Sequence, residues 1–280
     1  MSKTQIITLK RDQFCLKASV LGNGPVALAI GSHTYYPRTF SELLTTKLKL
    51  VCADTRGFVT RNSQHRKDDF TLDNIVVDTE IIRKSIQTDK VIIIGHSIHA
   101  FMALEYAQRF PDAVSHLVLI ASSPIGGSDI YKEADRYFEE SVCPERKAAF
   151  AAKMRNLTEN THPSFIERMI AFGPRLWYNY LFDASPLWKN VEVNTIGADI
   201  IWGSMFANYN TEKALKTVQC PILLALGRYD YFNPPHLWEK YRDHALDLTI
   251  RIFEKSSHTP QLEEPKNFDD ELLKWLEQKI

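Results

Sequence analysis

The chain has 280 residues, 44% of them hydrophobic and 24% charged, which is enough apolar material for one sizeable core. Its 34 Lys and Arg balance 34 Asp and Glu, so the formal net charge is zero. A neutral chain with no long basic run gives no footing for nucleic-acid binding or for adhesion to an anionic membrane.

In chain order, the opening MSKTQIITLKRDQF lacks the apolar stretch and small-residue cleavage site of a secretory signal, and the expected setting is cytoplasmic. No run approaches the roughly eighteen consecutive apolar residues of a membrane span. Residues 1–24 read as a hairpin of two strands, Gln5 to Leu9 and Gln13 to Val20, closed off by Gly22, Asn23 and Gly24. Short apolar runs follow at Val26–Ile30, Leu50–Ala53, Val91–Ile94, Leu117–Ala121, Ile222–Leu226 and Leu248–Phe253. Such runs suit strands buried on both faces, as in a parallel sheet. Between them lie helical periods: Asn74 to Ile86, Ile98 to Arg109 and Phe268 to Ile280. The mixed-sign charge cluster from Arg61 to Asp69 reads as a solvated loop. Strand alternating with helix predicts right-handed crossovers and a mostly parallel, doubly wound α/β sheet.

The alternation breaks after Pro124. From there to about Val218 the chain shows helical stretches (Tyr131 to Glu140, Glu145 to Leu157, Ser164 to Tyr180) and many aromatic residues. This predicts a helical cap over residues 125–216, inserted in a core formed by residues 1–124 and 217–280. Four scattered cysteines, Cys15, Cys52, Cys143 and Cys220, have no CxxC spacing and read as reduced thiols.

The most informative segment is Val91-Ile-Ile-Ile-Gly95-His96-Ser97-Ile98-His99-Ala100. A strand enters a sharp turn at a serine and a helix leaves it. Such a turn raises the hydroxyl above the sheet edge and aims unpaired helix N–H groups at the same point. Gly95 meets the need for little bulk before the serine. His99 departs from G-x-S-x-G, and Ala100 supplies the next small residue.

On these residues the chain resembles the α/β-hydrolase family, and within it the proline-iminopeptidase-like branch. Asp54-Thr-Arg56-Gly57, with Val59 where a glycine is usual, is similar to the family's D-x-R-G turn. Phe70-Thr-Leu-Asp73 to Asp78, Tyr106-Ala-Gln-Arg-Phe110-Pro111, Gly227-Arg-Tyr-Asp230 with Asn233-Pro-Pro235, and Lys255-Ser-Ser-His258 to Glu263-Glu-Pro265 follow in the family's order. The resemblance implies Ser97 as nucleophile, Asp230 as the orienting acid and His258 as general base. The chemistry asks for the same set. A serine hydroxyl needs a base to take its proton, the base needs a carboxylate to fix its tautomer, and the fold's chain order is serine, acid, histidine. Both Asp230 and His258 fall just past strand ends, where open α/β sheets build their sites.

The oxyanion hole implied is the N–H of Ile98 plus one from Ile30-Gly31-Ser32-His33, where Ile30 replaces the family's histidine; Ser32 is the first candidate and His33 the next. No cofactor and no metal is expected: His96 and His99 form an H-x-x-H with no third ligand in spacing. The leading function is hydrolysis of a small ester or amide through an acyl-enzyme, with a small molecule or short peptide as substrate and a monomer or homodimer as the assembly. Acyl transfer, lyase chemistry on the same triad, and ligand binding in a weakly active pocket are the alternatives. An aminopeptidase needs a carboxylate for the substrate's ammonium, and Asp129, Glu133, Asp135, Glu139 and Glu140 on the first cap helix are candidates.

Overall fold

A computed structural model describes residues 4–59, 66–140 and 143–279. Of the charge cluster Arg61 to Asp69, residues 61–65 lie outside the described residues. The remainder runs into a short 3₁₀ turn, Lys67–Asp69.

The opening hairpin pairs β1 (Gln5–Arg11) with β2 (Phe14–Leu21). Gln13, expected in the second strand, sits in the turn: Asp12 and Gln13 have φ of 48° and 70°. Two residues of positive φ give a two-residue loop whose twist matches right-handed strands. The chain continues through β3 (Val26–Gly31), α1 (Glu42–Lys47), β4 (Lys49–Asp54), α2 (Leu72–Ser85), β5 (Val91–His96), α3 (His99–Arg109) and β6 (Val114–Ile120). The Thr71 hydroxyl caps α2 by accepting from the Asn74 N–H, so this helix starts earlier than its apolar period suggests.

Between β6 and the next strand lie α4 (Ser128–Glu139), α5 (Pro144–Thr158), α6 (Phe165–Ala171), α7 (Gly173–Leu176), α8 (Ser185–Trp188), α9 (Thr195–Gly203) and α10 (Thr211–Thr217). The expected long helix from Ser164 to Tyr180 is two short ones, because Pro174 has no N–H to continue the first and begins the second. The chain closes with β7 (Ile222–Gly227), β8 (Leu248–Phe253), α11 (Pro260–Glu263) and α12 (Pro265–Gln278).

The sheet order is β1-β2-β4-β3-β5-β6-β7-β8. The first two pairings are antiparallel and the rest parallel. Side chains of the central strands alternate between two cores, as a period of two requires. Leu28, Ile30, Val91, Ile93, Leu224 and Leu226 face one, against α2, α3 and α10. Ala29, Ile92, Ile94, Leu223 and Ala225 face the other, with Leu44 of α1 and Phe268, Leu272 and Trp275 of α12. Ile93 is fully buried, and cutting it to Ala costs about 2–5 kcal/mol for a core aliphatic of this size. No helix among the described residues is long and apolar enough to cross a membrane.

Candidate active site

β5 ends in the turn that carries Ser97. Its φ is 57°, a left-handed conformation that costs a non-glycine residue about 1–2 kcal/mol. The Ser97 N–H donates to the Ile120 carbonyl of β6 at 2.8 Å, tying the turn to the neighbouring strand. A Cβ on Gly95 would stand 2.5 Å from the His99 carbonyl and 2.6 Å from Ala100 Cα. The backbone of the helix start therefore returns over position 95, which must lack a side chain, while the His99 ring lies against Tyr36, Phe58 and Trp202.

Asp230 follows β7 and His258 follows β8. A Cβ on Gly227 would lie 1.8 Å from the Ser257 carbonyl, so only a glycine lets these two loops meet. The His258 ring presents Nδ1 to Asp230 Oδ2 at 2.8 Å. The other Asp230 oxygen accepts the N–H groups of Phe232 (2.9 Å) and Asn233 (2.8 Å). Asp230 is 1% exposed. A buried carboxylate with three donors is satisfied as an anion and fixes the proton of His258 on Nδ1, leaving Nε2 with its lone pair. Ser97 and His258 line one cavity, with about 640 Å³ of empty space including its open mouth. No hydrogen bond joins their side chains among the described residues. Such contacts are often long before substrate binds.

A second histidine network lies beneath, and sequence reasoning missed its purpose. The ring of His96 meets the His258 carbonyl through Nε2 at 2.6 Å, so Nε2 carries the proton. Its Nδ1 faces the Tyr36 hydroxyl at 3.2 Å. That hydroxyl is also 3.0 Å from His99 Nδ1, which reaches the His96 carbonyl at 3.2 Å. One assignment satisfies every contact: His99 Nδ1–H donates to the Tyr36 oxygen and the His96 carbonyl, Tyr36 donates to His96 Nδ1, and His96 donates to the backbone of His258. Burial lowers both pKa values, His99 to about 4 and His96 well below the ordinary imidazole value, so both rings are neutral. The signal available in sequence was the pair His96 and His99; nothing local marked Tyr36 as their link.

The loop of His258 rests on Glu263, whose carboxylate accepts the N–H groups of Tyr178 (2.6 Å), Ser257 (2.9 Å) and Thr259 (3.1 Å). Burial pushes its pKa up to about 7 against these bonds.

The N–H of Ile98, beside Ser97 in the cavity wall, has no partner among the described residues. In the loop after β3, the N–H groups of His33, Thr34, Tyr35 and Tyr36 are all taken, by Asp54, the Ser32 hydroxyl twice, and the Ser32 carbonyl. Of the N–H groups from Ser32 to Tyr36, that of Ser32 has no partner among the described residues. The walls of the cavity include Tyr35 and Tyr36 from this loop but not Ser32. The D-x-R-G turn is structural: Asp54 holds His33, and fully buried Arg56 bridges Asp78 and Asp12.

The acidic residues of α4 do not reach the cavity that holds Ser97 and His258. Asp129 pairs with Lys132, Glu133 and Glu140 with Arg136, Glu139 with Lys147, and Asp135 with Arg175. No carboxylate lines that cavity among the described residues. No disulfide joins Cys15, Cys52, Cys143 or Cys220 among the described residues, and burial pushes the Cys220 thiol up to about 11. No group of three or more His, Cys, Asp or Glu suited to a metal ion occurs among the described residues.

A parallel sheet crossed by a serine turn of positive φ, with an aspartate–histidine pair at the same edge, defines an α/β hydrolase architecture. The family profile for the alpha/beta hydrolase fold matches residues 27–265, and the chain belongs to that family. It is 36% identical over 272 residues to the AB hydrolase superfamily protein YclE of Bacillus subtilis, covering 95% of this chain and 97% of that protein. It is 26% identical over 212 residues to a proline iminopeptidase of Heyndrickxia coagulans, covering 70% of each. Among solved structures, the proline iminopeptidase of Mycobacterium smegmatis shares the fold with a TM-score of 0.76 at 18% identity, over 98% of both chains.

Proposed function

We propose that this protein is a serine hydrolase that cleaves a small, neutral ester or amide through an acyl-enzyme on Ser97. The observation that carries the reading is the 2.8 Å contact of buried Asp230 with His258 Nδ1, with His258 and Ser97 in one cavity wall. His258 Nε2 takes the Ser97 proton as Oγ attacks the substrate carbonyl. The oxyanion accepts a hydrogen bond from the N–H of Ile98, unpaired beside Ser97, and the second donor in this reading is the unpaired N–H of Ser32, which must reach in from behind the wall formed by Tyr35 and Tyr36. Asp230 stabilises the imidazolium, which then protonates the departing alcohol or amine. Water, deprotonated by His258, attacks the acyl-enzyme and frees Ser97 and the acid. Residues 125–216 act as the cap, with Ala214 and Leu215 of α10 anchoring it in the sheet's core.

The neutral substrate follows from charge. A buried ammonium without a carboxylate would cost several kcal/mol; no acid of α4 lines this cavity, and Asp135, in the adjoining cavity behind Phe165, Trp202 and Phe232, is already paired with Arg175. The test uses a fluorophosphonate and three matched substrates: an aryl ester, a free aminoacyl arylamide and its N-acetyl form. Ser97 is the labelled residue and Ser97→Ala abolishes labelling. The ester is cleaved fastest, and acetylation does not slow the arylamide. Labelling that survives in Ser97→Ala overturns the mechanism; a strong preference for the free amine overturns the substrate reading.

A further inference from the structure

Six rings close a circuit around the cavity beside Ser97. Tyr35 meets Tyr36 (5.5 Å between centroids), Tyr36 meets His99 (5.8 Å), His99 meets Trp202 (5.7 Å), Trp202 meets Phe165 (4.6 Å), Phe165 meets Trp188 (5.9 Å), and Trp188 returns to Tyr35 (4.5 Å). All six line the cavity. Two from the β3 loop, one from α3 and three from the helical segment 125–216 make the circuit, so it exists only when that segment covers the sheet edge.

Two residues of this wall each carry a buried polar atom with no hydrogen-bond partner among the described residues: His99 Nε2 and Trp177 Nε1. Their chemistry is fixed. His99 uses its Nδ1 proton on Tyr36 and the His96 carbonyl and is neutral, so Nε2 offers only a lone pair. Trp177 offers only an N–H. A buried polar atom left empty costs free energy that a suitable ligand group recovers.

We propose that this cavity selects a substrate whose buried part is a neutral aromatic ring bearing a hydroxyl group, with His99 Nε2 accepting the hydroxyl proton and Trp177 Nε1 supplying a donor. The rings give a flat group offset and edge contacts that a saturated ring of equal size lacks. A quaternary ammonium also suits aromatic walls, but two neutral hydrogen-bonding atoms with no partner give it nothing to satisfy them. This assignment rests on the acyl-enzyme reading of Ser97.

The test compares 4-nitrophenyl esters of cyclohexylacetic acid, phenylacetic acid, the three hydroxyphenylacetic acids and their methyl ethers, with acetylcholine as the cationic arm. Phenylacetate exceeds cyclohexylacetate in kcat/KM, and one hydroxyphenyl isomer exceeds phenylacetate by about tenfold, the worth of one well-placed hydrogen bond. Its methyl ether loses that gain. In His99→Phe the hydroxyl preference falls to within about threefold of unity, while phenyl over cyclohexyl persists. If that variant does not fold, the wild-type ratios decide, together with the ¹⁵N resonance of His99 Nε2, which shifts on titration with the preferred hydroxy acid and not with phenylacetic acid. No hydroxyl preference in any isomer, a preference that survives His99→Phe, or acetylcholine as the best substrate overturns the proposal. Fluorophosphonate labelling of Ser97 in the same samples separates its failure from that of the hydrolase reading, since labelling continues when only the selectivity is absent.

Discussion

The start of α3 and the helix α4 both carry polar side chains that stand out in the sequence, and the fold uses them in opposite ways. Where β5 turns into α3, His96 and His99 are at most 6% exposed, neutral, and joined through Tyr36 to the backbone of His258. Along α4 and its C-cap, five exposed carboxylates pair with cations, four of the pairs with Lys132, Arg136 and Lys147 and the fifth with the largely buried Arg175. Buried polar groups in low dielectric must each find a fixed partner, and so they specify geometry. Solvated charges are screened and specify little. Position relative to the sheet edge, more than residue type, decides which polar residues bear on the site.

The sharpest way to widen this contrast is Asp230→Asn. The amide presents the wrong group to His258 Nδ1 and cannot stabilise imidazolium, so kcat on an aryl ester falls by about 10⁴ with the fold intact. Activity within about threefold of wild type would move the acid to another residue.

Acidification comes next. His99 is lowered by burial to about 4 from its ordinary 6.5. Below pH 6.5 the unfolded chain takes up a proton that the folded one refuses, so stability is full above pH 6.5 and is lost as pH falls toward 4. The whole shift corresponds to about 3 kcal/mol. Thermal unfolding between pH 7 and pH 4.5 should show this loss, and His99→Gln should reduce it. Equal slopes in the two proteins would mean His99 is not held neutral.

Tyr36→Phe takes the donor from His96 Nδ1 and one acceptor from His99 while keeping the ring. The expected loss is about 1–3 kcal/mol of stability, with a fall in kcat and little change in KM, as the base is less well held. A change confined to KM would place Tyr36 against the substrate only.

At the small end, Glu133→Gln and Glu139→Gln on α4 should leave kcat/KM for neutral esters within about twofold, as expected for screened surface pairs. A selective loss on free-amine substrates would bring α4 back to the site and erase the contrast.

Much of this was legible in the sequence. The apolar runs mark the central strands β3, β4, β5 and β7 within a residue or two, since burial on both faces leaves little room for polar residues, and they also mark the half-buried edge strand β8. Ser97, Asp230 and His258 are legible because each follows a strand end. The Tyr36–His96–His99 network was not, because it joins residues 60 and 63 positions apart. Nor was Glu263, which reads as one more acid in a charged loop yet accepts three backbone donors. The break between α6 and α7 was signalled by Gly173-Pro174. The role of the α4 acids was not, since helical spacing gives a shared face but not what that face meets.

The most direct measurement of the central claim is rapid-quench mass spectrometry of the protein during turnover of a slowly deacylated aryl ester. The expected result is an added acyl mass on the peptide containing Ser97, formed with a burst of phenol and absent in Ser97→Ala. Steady turnover with no acyl adduct, or an adduct on any other residue, would contradict it.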